Sequence, residues 1–227
     1  MSDASEMSEA HASDVRAGVR LEVFTVVWMI LEAAISIVAG LVAGSLLLVA
    51  FGLDNVIELI SGVILLWRLS IEARGGDVAR VEQAERRAAW VVAVCLGLLC
   101  VYVLASAVYG LVTRSMSEAS PVGIAIAALA MVVMPSLAVA KRLDSGALRG
   151  DAASSFTCAA MAATVLVGLV LNAVFQWWWA DDVAALVFLV WLVQETREAL
   201  EEARQDAGKE SASGRAERAR PRPSGPV

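Results

Sequence analysis

Charge is scarce in this sequence: Asp, Glu, Lys and Arg make up 19% of its 227 residues, while hydrophobic residues make up 59%. That balance excludes an ordinary soluble domain of this length. Histidine is nearly missing, since His11 is the single example and stands in a polar N-terminal stretch. Cys95, Cys100 and Cys158 all fall inside apolar runs, with no CxxC pair and no paired framework, so a disulfide scaffold is excluded and the plain reading of each is a small buried hydrophobe. Residues 1–18 lack the positive start and short apolar run of a cleavable signal peptide. The net charge of −6 reflects acids gathered in the two ends and implies neither nucleic acid nor a basic partner.

What is present is a series of long apolar runs. About 20 mostly apolar residues are needed for a helix to cross the hydrocarbon core, and six stretches are candidates, near 21–43, 45–69, 88–112, 121–140, 151–175 and 181–193. The last is short unless it continues through 194–200, and the tryptophans at 177–179 suit an anchor at its outer interface. The expected fold is therefore all-α, a polytopic membrane protein built as a six-transmembrane-helix bundle over residues 21–204. Residues 1–20 and 205–227, polar and rich in acids at one end and in Gly, Ser, Arg and Pro at the other, read as disordered cytoplasmic tails.

The positive-inside rule sets the direction. With the N-terminus inside, Arg16 and Arg20, the group from Arg68 to Arg87, the group Lys141, Arg142 and Arg149, and the basic residues of the C-terminal tail all fall in the cytoplasm, and Arg114 alone is outside. Both termini are then cytoplasmic in a multi-pass protein of the cell membrane.

Acids inside such spans cost roughly 2.5–3.5 kcal/mol on insertion scales, so they usually face a cavity or a partner. The second span carries two in the run FGLDNVIELISG: Asp54 and Glu58, four apart, share one helical face. Two ionised carboxylates that close repel unless a cation lies between them. The competing reading, an ion pair with a neighbouring helix, lacks a partner, because no Lys or Arg lies in the interior of any span.

On the fifth span Asp151, Ser154 and Cys158 fall at intervals of three and four, again on one face. Cys158 is either a soft ligand, which beside carboxylates suits zinc or a similar borderline ion, or simple packing. Ser154 has commonplace helix packing as its alternative. An internal echo links the two helices: Ser45, Leu48, Asp54 and Glu58 recur one hundred residues on as Ser145, Leu148, Ser154 and Cys158, with ligand-type or polar residues at the last two places. Repeats of this kind place a shared substrate site near mid-membrane. Glu32, midway along the first span, is either a polar point on an ion path or a protonated hydrogen-bonding group. Asp181 and Asp182 open the sixth span, where acids favour the helix dipole, and an ion-gathering mouth is compatible with that.

The stretch GSLLLVAFGLDNVIELISGVILLWRL resembles the second helix of the cation diffusion facilitators, or cation efflux proteins, SGALRGDAASSFTC resembles their fifth, and WWWADDVAALVFL the start of their sixth. The resemblance covers about residues 21–204. It implies a homodimeric exporter of divalent metal ions, zinc first, driven by proton exchange, with a tetrahedral site between the second and fifth helices. Asp54 and Glu58 would take the places of the second-helix pair and Ser154 and Cys158 those of the fifth-helix pair, where the family usually has His then Asp. The family's usual cytoplasmic metal-binding domain has no counterpart after the sixth helix, which suggests the short branch with the membrane domain only.

The resulting expectation is a proton-coupled antiporter working by alternating access, with Asp151 completing the shell or relaying protons, the lipid bilayer as its medium, no resident cofactor and no group placed for covalent catalysis. The rival is a non-transporting metal-binding membrane sensor or scaffold.

Overall fold

The computed structural model describes residues 2–72, 79–144 and 149–218. Six helices account for nearly all of it: α1 (Ser2–Ala43), α2 (Leu46–Glu72), α3 (Ala79–Thr113), α4 (Pro121–Asp144), α5 (Arg149–Phe175) and α6 (Ala180–Arg218). The fold is an all-α polytopic bundle. Among the described residues five stretches are long and apolar enough to cross a membrane: Arg20–Ala43, Leu46–Arg68, Arg87–Thr113, Pro121–Ala140 and Thr157–Phe175.

The sixth helix forms where it was expected but is less apolar. Its run at 183–193 covers about 16 Å at 1.5 Å per residue, roughly half the hydrocarbon thickness, before Glu195, Arg197 and Glu198 interrupt it. Helical backbone also continues back to Ser2 and on to Arg218, into both segments expected as disordered tails. Ala, Glu and Arg are frequent there, and extending an existing helix avoids the cost of nucleating one.

The ends of the helices are set by local chemistry. Ser45 caps α2, its hydroxyl accepting from Leu48 N at 3.2 Å, and Ser120 caps α4, accepting from Gly123 N at 3.1 Å, with Pro121 in the first helical position. α1 stops at Gly44, whose φ of 64° lies in the left-handed region; Ser45 N then bonds back to Gly40 O at 2.9 Å, closing a Schellman turn. Arg114 (φ 54°) and Gln176 (φ 51°) end α3 and α5 in the same conformation.

The most extensive pairings are α1 with α2, α3 with α6 and α4 with α5, and α2 also packs on α3, α5 and α6. α1 and α2 lie in close contact: a Cβ at Gly40 would stand 2.8 Å from Val49 N, and one at Gly52 2.9 Å from Ile37 N. Small residues that let backbones approach are the usual means of joining helices where water supplies no hydrophobic drive. The core between α2, α3, α5 and α6 is built on Leu47, Leu48, Phe51, Leu96, Val103, Met161, Val165, Phe188 and Leu192, with the Phe51 and Phe188 rings edge to face at 6.4 Å. A smaller cluster, Met29, Met134, Leu137, Cys158 and Ala159, joins α1, α4 and α5. Many large apolar side chains instead point outward, Val42 at 79% and Leu41 at 68% exposure among them, a surface that suits lipid rather than water.

Three inter-helix junctions meet at one end of the bundle. Glu118 N donates to Ala43 O at 2.7 Å, Asn172 Nδ2 donates to Ser117 O and Oγ at 3.2 and 3.1 Å, and Ser45 Oγ donates to Asp181 Oδ1 at 2.5 Å. Trp177 and Trp179 stack there at 4.9 Å, and Arg114 lies over the Trp178 ring at 5.6 Å. The opposite end carries the start of the first span and the far ends of α2 and α6.

Candidate metal centre

Along α2, Glu58 lies about 6 Å beyond Asp54 towards the end that carries the termini. There it meets α5: Cys158 Sγ donates to Glu58 Oε2 at 2.6 Å. Cys158 is 3% exposed, so a thiol and a carboxylate from two helices touch inside the bundle. Glu195 of α6 lines the same cavity as this pair.

These three side chains line a cavity of about 210 Å³ with Glu22 and Thr25 of α1, Ser61 and Gly62 of α2, Met134 of α4, and Glu198 of α6. The volume holds several waters. Glu22 is fully buried and lies against Gly62, 3.4 Å from where a Cβ would stand there, so the glycine makes room for the carboxylate.

Asp54 is deeper, wholly buried, with neither carboxylate oxygen hydrogen-bonded. Glu58, Glu195 and Cys100 are among the titratable groups that share its electrostatic environment. Asp151 and Ser154 belong to the first turns of α5, and their side chains lie outside the described residues.

Glu32 is 1% exposed on the inner face of α1 and neighbours Trp28 and Asn55. Neither its oxygens, nor Trp28 Nε1, nor the Asn55 amide atoms make a hydrogen bond. Asp181 is placed elsewhere. Its carboxylate accepts from Ser45 Oγ and from Leu47 N at 3.3 Å, closing the N-terminus of α2, and it is about 21 Å from Glu195 along α6. Asp182 packs beside Gly110 of α3.

The structure thus brings Glu58 and Cys158 together, keeps Asp54 beside them, and separates Asp181 from them. It adds Glu22, Glu195 and Glu198, which the sequence reading had not singled out. Helical register carried the missing signal. Phe188, Leu192, Glu195, Ala199 and Ala203 fall at intervals of three and four on the inward stripe of α6, and Glu22, Thr25, Met29, Glu32 and Ser36 do so on α1.

Among the described residues no three His, Cys, Asp or Glu side chains converge closely enough to hold an ion as they stand. Cys158 and Glu58 are instead hydrogen-bonded to each other. Zinc bound tetrahedrally to sulfur and oxygen sets those atoms about 3.5 Å apart, whereas here they are 2.6 Å apart.

A polytopic bundle whose inner faces turn acids and a thiol towards one cavity has the architecture of a membrane cation carrier. Residues 23–206 match the family model of the cation efflux transmembrane domain. The chain belongs to the cation efflux family, and is a multi-pass membrane protein that transports metal cations. No curated protein matches its sequence.

Proposed function

We propose that the protein exports a divalent metal ion, zinc foremost, from the cytoplasm in exchange for protons, and that it does so as a homodimer in the cell membrane with both termini inside. The observation that carries this reading is the contact of Cys158 with Glu58 across α2 and α5, beneath the cavity. Mixed sulfur and oxygen donors suit a borderline ion better than a hard one such as magnesium.

The cavity lies at the end of the bundle that carries the termini, while the other end is tied by Ser45, Asp181, Asn172 and Ser117. With the termini in the cytoplasm this is a cargo chamber facing inward. Zinc entering it draws Asp54, Glu58 and Cys158 into its coordination shell, and each ligand gives up its proton to bind. When the helices rock and the site faces outward, protons compete for the same ligands and the ion leaves. Asp151 completes the shell or relays protons from the start of α5.

Purified protein in sealed vesicles, loaded with a zinc-sensitive dye and given a pH gradient, tests this directly. Zinc flux that rises with the imposed gradient and collapses with it is the expected result. Saturable zinc binding without flux would make the protein a membrane sensor instead.

A further inference from the structure

We propose that Glu195 of α6 is a direct ligand to the transported ion, so that the site draws on three helices rather than two. The proposal rests on the transport reading above and names a residue of that same site.

A tetrahedral site takes four donors, and α2 and α5 supply three of clear ligand type: Asp54, Glu58 and Cys158. Of the remaining positions on α5, Ser154 is a neutral hydroxyl and a poor donor for a divalent ion, and Asp151 lies about 10 Å from Cys158 along the helix, where it suits a proton relay better than the shell. Glu195 is the candidate for the fourth donor. It lines the same cavity as Glu58 and Cys158.

Two observations point to a ligand rather than to a solvated acid. Glu195 Oε2 is buried with no hydrogen-bond partner, although the residue follows an apolar run and precedes Arg197. Asp54, next to this cluster, is fully buried with both oxygens likewise unmatched. Buried polar atoms are seldom left without partners, and neighbouring buried carboxylates repel unless a proton or a cation relieves them. The register of Glu195 with Phe188, Leu192 and Ala203 turns it towards the bundle rather than the lipid. Glu201, six residues further along α6, is exposed and is not part of the cavity lining, which makes it the natural control.

Cobalt is a suitable probe, because its sulfur charge-transfer absorption reports Cys158 and its d–d bands report the whole coordination shell. The full chain in detergent micelles is titrated with cobalt as wild type, Glu58→Gln, Glu195→Gln, Glu195→His and Glu201→Gln. Glu195→Gln is expected to weaken cobalt binding at least about tenfold, more than loss of an outer partner commonly does, and to change the d–d bands while the sulfur band stays. Glu195→His should restore affinity with a shifted spectrum, since imidazole is also a ligand, and Glu201→Gln should stay within about twofold of wild type. Wild-type affinity and unchanged d–d bands in Glu195→Gln would overturn the assignment while leaving the transport reading intact, and so would Glu195→Gln weakening that His does not relieve. If the wild type shows no saturable cobalt binding, or if Glu58→Gln does not disturb it, the transport reading fails and the assignment with it.

Discussion

The two ends of the bundle treat the same side chain in opposite ways. At one end the buried Asp181 is fully engaged, accepting from the Ser45 hydroxyl and the Leu47 amide, and Asn172 bonds twice to Ser117 across the neighbouring junction. At the other end Glu22, Glu58, Glu195 and Glu198 surround a cavity, and Asp54 lies buried behind them with its oxygens unmatched. An acid whose lone pairs are met by fixed donors acts as a structural clasp. An acid buried without such donors is held at a cost that only a mobile cation or proton relieves. The two ends therefore differ in what each carboxylate touches, not in the presence of carboxylates.

Substitutions at the cavity end should give the largest effects. Glu58→Gln and Asp54→Asn keep nearly the same shape and remove a charge, so each should fold at least as well as wild type while lowering zinc transport roughly a hundredfold. Melting temperatures in detergent and flux in vesicles check the two halves of that statement. Cys158→Ser should come next, weakening zinc about tenfold and manganese far less, because the thiolate favours the softer ion; competition titrations with the two metals measure the ratio.

The junction end should respond in stability rather than in binding. Asp181→Ala removes the acceptor that closes α2 and leaves Ser45 and Leu47 N without it, at a cost of about 1–3 kcal/mol, seen as a lower melting temperature with the zinc affinity of the folded protein unchanged. A loss of zinc affinity with normal stability would break the comparison and make Asp181 part of the ion path. Ser154→Ala is expected to do least, changing zinc affinity by no more than about twofold, since a neutral hydroxyl is the poorest donor of the set.

Much of this was legible in the sequence because membranes impose strong patterning. Long apolar runs placed the first five spans to within a few residues, and four-residue spacing put Asp54 and Glu58 on one face. A repeat at one hundred residues pointed from Glu58 to Cys158, which the structure finds in contact.

Glu195 was hidden for a physical reason. It follows a short apolar run and is flanked by Gln194, Thr196, Arg197 and Glu198, so composition marks it as the polar end of a span. Only its register with Leu192 and Ala199 turns it inward. Glu22, two residues beyond Arg20, was hidden in the same way. Asp181 was placed correctly at a helix start, but the helix it closes is α2, a tertiary contact that spacing along α6 cannot reveal. Helical continuation to Ser2 and Arg218 likewise follows from helices already nucleated by the spans, which a reading of tail composition by itself does not weigh.

The central claim is that the buried acids of α2 carry the cargo, and zinc flux into sealed vesicles under an imposed pH gradient tests it most directly when wild type is measured beside Asp54→Asn and Glu58→Gln at matched protein density. Gradient-driven flux is expected in the wild type and near-background flux in both variants, with all three proteins equally folded. Wild-type flux in both variants would contradict it, and would leave those carboxylates to packing or to another partner.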